Sequence, residues 1–134
     1  FNVNVFSPAL LTRGLYADLK AAKGSVVNIT SIVVQRVHPF AGSPYAASKA
    51  ALSGLTREMA AEFAVDGVRV NAVSPGEIET PILSKRTHEI IESHVPMKRI
   101  GLPSEIADAV LYLCSDQASY VTGTEILVNG GQHL

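Results

Sequence analysis

Val68-Arg69-Val70-Asn71-Ala72-Val73-Ser74-Pro75-Gly76 decides the fold: a β-branched run over 68–73 reads as a strand, and the Ser-Pro-Gly after it enforces a loop. Immediately upstream, Asp66-Gly67 closes an alanine-rich helix predicted over Tyr45–Ala64, with Ser43 as its N-cap and Pro44 pre-setting its first turn. Further upstream, Ser25–Ile29 is a second β-branched run, bounded by Gly24 and by the polar pair Thr30-Ser31, and reads as a buried strand. Two strands joined by a helix run parallel through a right-handed crossover.

Outward from this unit the pattern continues. Val5, Leu10, Leu11, Leu15 and Leu19 recur at helical spacing and predict one amphipathic helix from Val5 to Leu19, stopped by Lys23-Gly24. Downstream, Ile82–Val95 reads as a weak helix and Pro103–Cys114 as an amphipathic one, with Pro103 at its start and Glu105 in its first turn. Glu125–Val128 is a third short strand, followed by Asn129-Gly130-Gly131. The order predicts an α/β fold: one partial domain over 1–134, the C-terminal half of a doubly wound, Rossmann-type parallel sheet of three strands with flanking helices. In such sheets ligands sit at the carboxyl ends of the strands, so the loops beginning at Ser31, Ser74 and Asn129 share one edge.

Composition narrows the function classes. Eleven basic against twelve acidic residues, a formal charge of -1, leave no basic stripe for nucleic acid and no charged face for a membrane. Cys114 is the single cysteine, and no apolar stretch reaches membrane-spanning length, which together predict a cytoplasmic protein. His38, His88, His94 and His133 have no metal-site spacing and read as surface or loop histidines. No Gly-x-Ser-x-Gly and no Ser-x-x-Lys occurs, which disfavours serine hydrolysis. Asn28-Ile29-Thr30 is formally a glycosylation sequon, but it lies in the predicted buried strand.

The chemistry concentrates in three residues. Tyr45 and Lys49 are four apart on the predicted helix and therefore stack on one face, one turn apart. A phenol is a poor base at neutral pH, and an ammonium beside it favours loss of its proton. Ser31 stands at the carboxyl end of the first strand, where its hydroxyl is able to bond a carbonyl or alcohol oxygen and steady a developing alkoxide.

These residues and their surroundings resemble the short-chain dehydrogenase/reductase family. Asn4-Val5-Phe6, Val27-Asn28-Ile29-Thr30-Ser31, Tyr45-Ala46-Ala47-Ser48-Lys49, Val68 to Gly76, Tyr120-Val121-Thr122-Gly123 and Asn129-Gly130-Gly131 follow in family order and approximate spacing. The resemblance implies an NAD- or NADP-dependent oxidoreductase that interconverts an alcohol and a carbonyl by hydride transfer. It makes Tyr45 the general acid/base, Ser31 the group that orients the substrate oxygen, and Lys49 the holder of the nicotinamide ribose. Asn4, preferred over Asn2, completes the set by anchoring a relay water. Thr30, Tyr45, Lys49, Pro75, Gly76, Ile78 and Thr80 are the implied cofactor contacts, the last two reaching the carboxamide.

The resemblance also implies a small-molecule substrate and a homo-oligomer, dimer or tetramer, with the alanine-rich outer face of the Tyr45 helix as a candidate boundary. Asn129 stands where relatives often carry aspartate, and the Ser31 to Tyr45 spacing is one residue longer than the commonest, which reshapes the pocket. Sugars, polyols, steroids and acyl-thioester ketones all remain open as substrates. Neither Gly-x-Gly-x-x-Gly nor the family's Thr-Gly-x-x-x-Gly-x-Gly occurs in these residues, so the choice between NAD and NADP is not legible. The expectation is a chain cut from a longer enzyme, inactive alone. The alternative is a catalytically inactive fragment serving only as an oligomerisation or interaction module.

Overall fold

Three parallel strands in the order β1-β2-β3 form the centre of the computed structural model, which describes residues 1–81 and 85–134: β1 is Ser25–Ile29, β2 Arg69–Pro75 and β3 Glu125–Val128. Ser25 pairs with Arg69 and Ile29 with Val73, while Ala72 pairs with Glu125 and Pro75 with Val128. The expected three-stranded parallel α/β sheet is therefore present. β2 runs to Pro75, two residues further than the predicted Val73, because proline at a strand end withholds a donor without losing its carbonyl.

The long helix α3 spans Ser43–Phe63; its N-cap is Gly42 rather than Ser43, and Pro44 sits in the first turn as expected. Its buried side chains Met59, Ala60 and Phe63 pack on Val68 and Val70, joined by Tyr16, Leu19, Val26 and Leu55. α5, Pro103–Cys114, covers the opposite face, since Arg69 and Ser25 both donate to the Leu113 carbonyl, at 2.6 and 3.2 Å, and alternate with the α3-facing Val26 and Val70. α4 is Lys85–His94; the start of the predicted Ile82–Val95 helix lies outside the described residues. Among the described residues no helix is long and apolar enough to cross a membrane.

The predicted Val5–Leu19 helix divides. A wide turn over Asn2–Phe6 leads into α1, Ser7–Gly14, and Leu15 breaks the run before α2, Tyr16–Ala22. Gly14 is the weak point, as glycine is among the poorest helix formers. α2 is then free to tilt Tyr16 onto Phe63, with ring centroids 4.4 Å apart. Leu10, Leu11 and Leu15 stay exposed, as does Ile29 at the end of β1, whose outer edge has no partner strand among the described residues. The sequon asparagine, Asn28, is buried and donates to Thr56 Oγ1 at 2.9 Å.

α5 shows how its start is fixed. Glu105 accepts from the Leu102 backbone N–H at 2.8 Å and grips Arg99 through both guanidinium nitrogens, at 2.9 and 2.6 Å. Arg99, then the Leu102 N–H, hold the Glu105 carboxyl down at about 2, against an ordinary 4.5. The unfolded chain takes up this proton at the ordinary value, so the contribution to stability is complete above that value and disappears as pH falls towards about 2. Glu105→Gln should therefore lower the denaturation midpoint at neutral pH, with the deficit against wild type closing over that acid range. A deficit that persists at the acid end would refute the assignment.

Candidate active site

The carboxyl ends of β1 and β2 and the first turns of α3 meet around an open cleft of about 350 Å³, into which Ser31, Tyr45 and Gly76 all open. Ser31 is buried with an extended backbone, and its hydroxyl caps the short turn Ile32–Val34, accepting from the Val33 N–H at 3.5 Å. Tyr45 projects from the first turn of α3 and is 43% exposed. One turn further on, Lys49 Nζ lies 5.9 Å from the Tyr45 ring centre and donates to the Ile29 carbonyl at 2.7 Å. Partial burial pushes the Lys49 ammonium below lysine's ordinary pKa, because desolvation disfavours the charge.

Asn4 reaches this centre through α3. Its amide donates to Ser48 Oγ at 3.0 Å, and Ser48 in turn donates to the Tyr45 carbonyl at 2.8 Å. The wide turn at Asn2–Phe6 carries Asn4 to that position. Asn2 instead offers its backbone carbonyl to Ser7, at 2.9 Å. Thr30 is turned inward: its hydroxyl serves the Val73 carbonyl and Glu125, so as a side chain it ties the strand ends together rather than facing the cleft. Glu125 further holds Ser53 and Gln35, and Gln35 accepts from Ser74 at 3.0 Å, which braces β1, β2 and α3 just below the site.

Pro75 ends β2, and Gly76 and Ile78 follow it along the same edge. Ile78 forms a parallel bridge with Gly101, and Thr80 is exposed. Gly76 is required by space: a Cβ there would stand 2.5 Å from Gln132 Oε1, 2.7 Å from Asn129 Cβ and 3.0 Å from Asn129 Cα. The neighbour that demands glycine here is the chain's own 129–132 segment, whose turn needs the left-handed Gly130 and Gly131. Gly76→Ala should destabilise the protein by about 1–3 kcal/mol through overpacking. Chemical denaturation would read the loss, and hydrogen exchange should localise the loosening to 129–132; an unchanged midpoint would contradict the packing.

One pair was not anticipated. His38, expected on the surface or in a loop, lies in the loop before α3, where it lines the cleft and bonds Glu77 at 2.7 Å, with side chains only 14% and 17% exposed. His88, His94 and His133 are exposed, as expected. The sequence signals were a histidine in the Ser31 to Tyr45 loop and an acidic residue directly after Pro75-Gly76, 39 positions apart and without local periodicity.

Known proteins resemble the chain along its whole length. The family model described as enoyl-(acyl carrier protein) reductase matches residues 1–133. Protein FixR of Bradyrhizobium diazoefficiens is 54% identical over 134 residues, covering 100% of this chain and 48% of that protein. The 3-oxoacyl-[acyl-carrier-protein] reductase of Thermotoga maritima is 44% identical over 84% of this chain and 47% of its own length. A 3-oxoacyl-[acyl-carrier protein] reductase with bound NAD from Brucella melitensis superposes with a TM-score of 0.91 at 36% identity, covering 98% of this chain and 50% of that one. An oxidoreductase of the short-chain dehydrogenase/reductase type from Brucella ovis is 52% identical, with a TM-score of 0.75 over 95% of this chain and 52% of its own. The chain spans about half the length of the relatives it matches.

Proposed function

Because this chain belongs to the short-chain dehydrogenase/reductase family, we propose that it is the catalytic half of an NAD(P)-dependent enzyme interconverting an alcohol and a carbonyl. The observation that carries this reading is the opening of Ser31 and Tyr45 into one cleft, with the Lys49 ammonium one helical turn from the phenol.

In this reading the substrate oxygen rests between Ser31 and Tyr45. Ser31 donates a hydrogen bond that fixes the oxygen and stabilises charge developing on it. Tyr45 holds the proton that the oxygen gains on reduction and takes it back on oxidation. Lys49 lies over the Tyr45 ring, 5.9 Å from its centre, and its bond to the Ile29 carbonyl keeps the ammonium aimed at the strand end. Asn4 and Ser48 lock the first turn of α3, so that Tyr45 moves little while the proton passes. A relay water on Asn4 belongs to the same proposal.

The residues present fit a nicotinamide. An ammonium has three donors and Lys49 gives one to Ile29, which leaves donors for ribose hydroxyls. Pro75, Gly76, Ile78 and Thr80 line the edge where the carboxamide would lie. A bound nicotinamide supplies or accepts the hydride. The unpaired edge of β1 and the exposed Leu10, Leu11 and Leu15 fit a second half that completes the sheet and holds the rest of the dinucleotide. Exposed Ala47, Ala50 and Ala61 on α3 suit close helix approach in a homo-oligomer.

The same unpaired edge favours the one competing reading, an inactive module that associates through it. Nicotinamide turnover by the full-length polypeptide carrying this segment separates the two. Oxidation of secondary alcohols, or reduction of ketones, with NAD or NADP is the expected result. Absence of turnover with both cofactors across an alcohol and ketone panel would leave the association reading standing.

A further inference from the structure

The His38–Glu77 pair forms the part of the cleft that the proposed mechanism does not use. Phe40 donates its backbone N–H to His38 Nδ1 at 3.3 Å, so Nδ1 carries a lone pair and the ring proton sits on Nε2. That proton points to Glu77 Oε1, at 2.7 Å. Both ring nitrogens are thus engaged by the protein, Nδ1 by the Phe40 N–H and Nε2 by Glu77 Oε1, so the imidazole orients the carboxylate and offers nothing further to the cleft. Gln132 Nε2 approaches the same oxygen at 3.5 Å. Oε2 has no hydrogen-bond partner among the described residues, and His38, Tyr45 and Glu77 are the titratable groups lining the cleft.

The backbone holds this carboxylate in place. Gly101 donates to the Glu77 carbonyl at 2.9 Å, and Glu79 donates back to the Gly101 carbonyl at 2.8 Å. A fixed, partly buried acceptor with an open oxygen, sharing about 350 Å³ with Ser31 and Tyr45, selects for a donor on the molecule that fills the space. An alkyl chain there leaves the carboxylate desolvated and unpaired, and a second carboxylate is repelled.

Resting on the dehydrogenase reading, we propose that Glu77, oriented by His38, is the specificity-determining residue for substrates bearing a hydrogen-bond donor, hydroxyl or ammonium, beside the reacting carbon. The class is that of polyols and amino alcohols, against simple alkanols and hydroxy acids.

The test uses the full-length polypeptide and three probes of one carbon skeleton: sec-butanol, the corresponding vicinal diol and the corresponding vicinal amino alcohol. Wild type should favour the diol or the amino alcohol over sec-butanol in kcat/KM. Glu77→Met should reduce that preference by about 10- to 100-fold, the range for losing a hydrogen bond to a charged group. Glu77→Gln, which keeps shape and removes charge, distinguishes the sources: loss of the amino alcohol's advantage marks the ammonium, and retention of part of the diol's marks the hydroxyl. A wild type without preference, or a preference surviving intact in both variants, overturns the proposal. If wild type turns over none of the probes, the wider alcohol and ketone panel decides the dehydrogenase reading. The donor preference is then decided by saturation-transfer NMR binding of the same probes: tighter binding of the donor-bearing ones, lost in Glu77→Met, upholds it, and equal binding overturns it.

Discussion

Tyr45→Phe is expected to lower kcat for nicotinamide turnover by about 10²- to 10⁴-fold, the range for removing a positioned general acid/base. Fold and chemistry separate cleanly at this position. The phenol is 43% exposed and its hydroxyl makes no hydrogen bond among the described residues, so stability should stay within about 0.5 kcal/mol of wild type. The ring that Lys49 overlies at 5.9 Å remains in phenylalanine, which keeps the ammonium's surroundings. Steady-state kinetics beside a urea denaturation curve on the full-length polypeptide would check both halves of the statement. Activity within a few-fold of wild type would remove Tyr45 from the proton transfer.

Asn71→Ala is the substitution with the largest expected effect on stability. Asn71 is fully buried in the middle of β2, and its side chain spans two strands' worth of loop: Nδ2 donates to the Val121 carbonyl at 2.9 Å and Oδ1 accepts from the Thr124 N–H at 3.1 Å. Alanine would strand a donor and an acceptor and leave a void. At about 1–3 kcal/mol for each unsatisfied group, discounted for partial water access at residues 121–124, a loss of about 2–4 kcal/mol follows. The midpoint of chemical denaturation should fall accordingly. Asn71→Asp keeps an acceptor for Thr124 but sets a buried carboxylate oxygen against the Val121 carbonyl, so its midpoint should fall at least as far. An unchanged midpoint in the alanine variant would mean that the 121–124 turn is held by other contacts.

The sheet was legible because its punctuation is local. Gly24, the Thr30-Ser31 pair, Asp66-Gly67 and Pro75-Gly76 bracket the β-branched runs, and strands separated by helices have one handed solution. Tyr45 and Lys49 were legible for the same reason, being one turn apart on one helix. The helix from Val5 was misread as continuous because its hydrophobic period survives the break at Leu15, where only the weakness of Gly14 gives a hint. Asn71 carried a readable signal, since an amide inside an apolar run must find partners, but its partners lie about 50 residues away. The His38–Glu77 pair depends wholly on how two loops meet above the sheet. No spacing rule reaches that distance, and an acidic residue directly after Pro75-Gly76 was the available clue.

The register of the sheet has a kinetic consequence. β1 pairs with β2 across 44 positions, Ser25 with Arg69, and β2 with β3 across 53, Ala72 with Glu125. Such pairings close large loops before any contact rewards them, which places the sheet among slow-forming structures, whereas a 21-residue helix such as α3 relaxes in about a microsecond or less. Tyr45 and Lys49 are therefore aligned early, while Ser31, Gly76 and Glu77 arrive only when the strand ends zip together. On the proposed reading the site is completed only late in folding, when the strand ends bring Ser31, Gly76 and Glu77 opposite Tyr45 and Lys49.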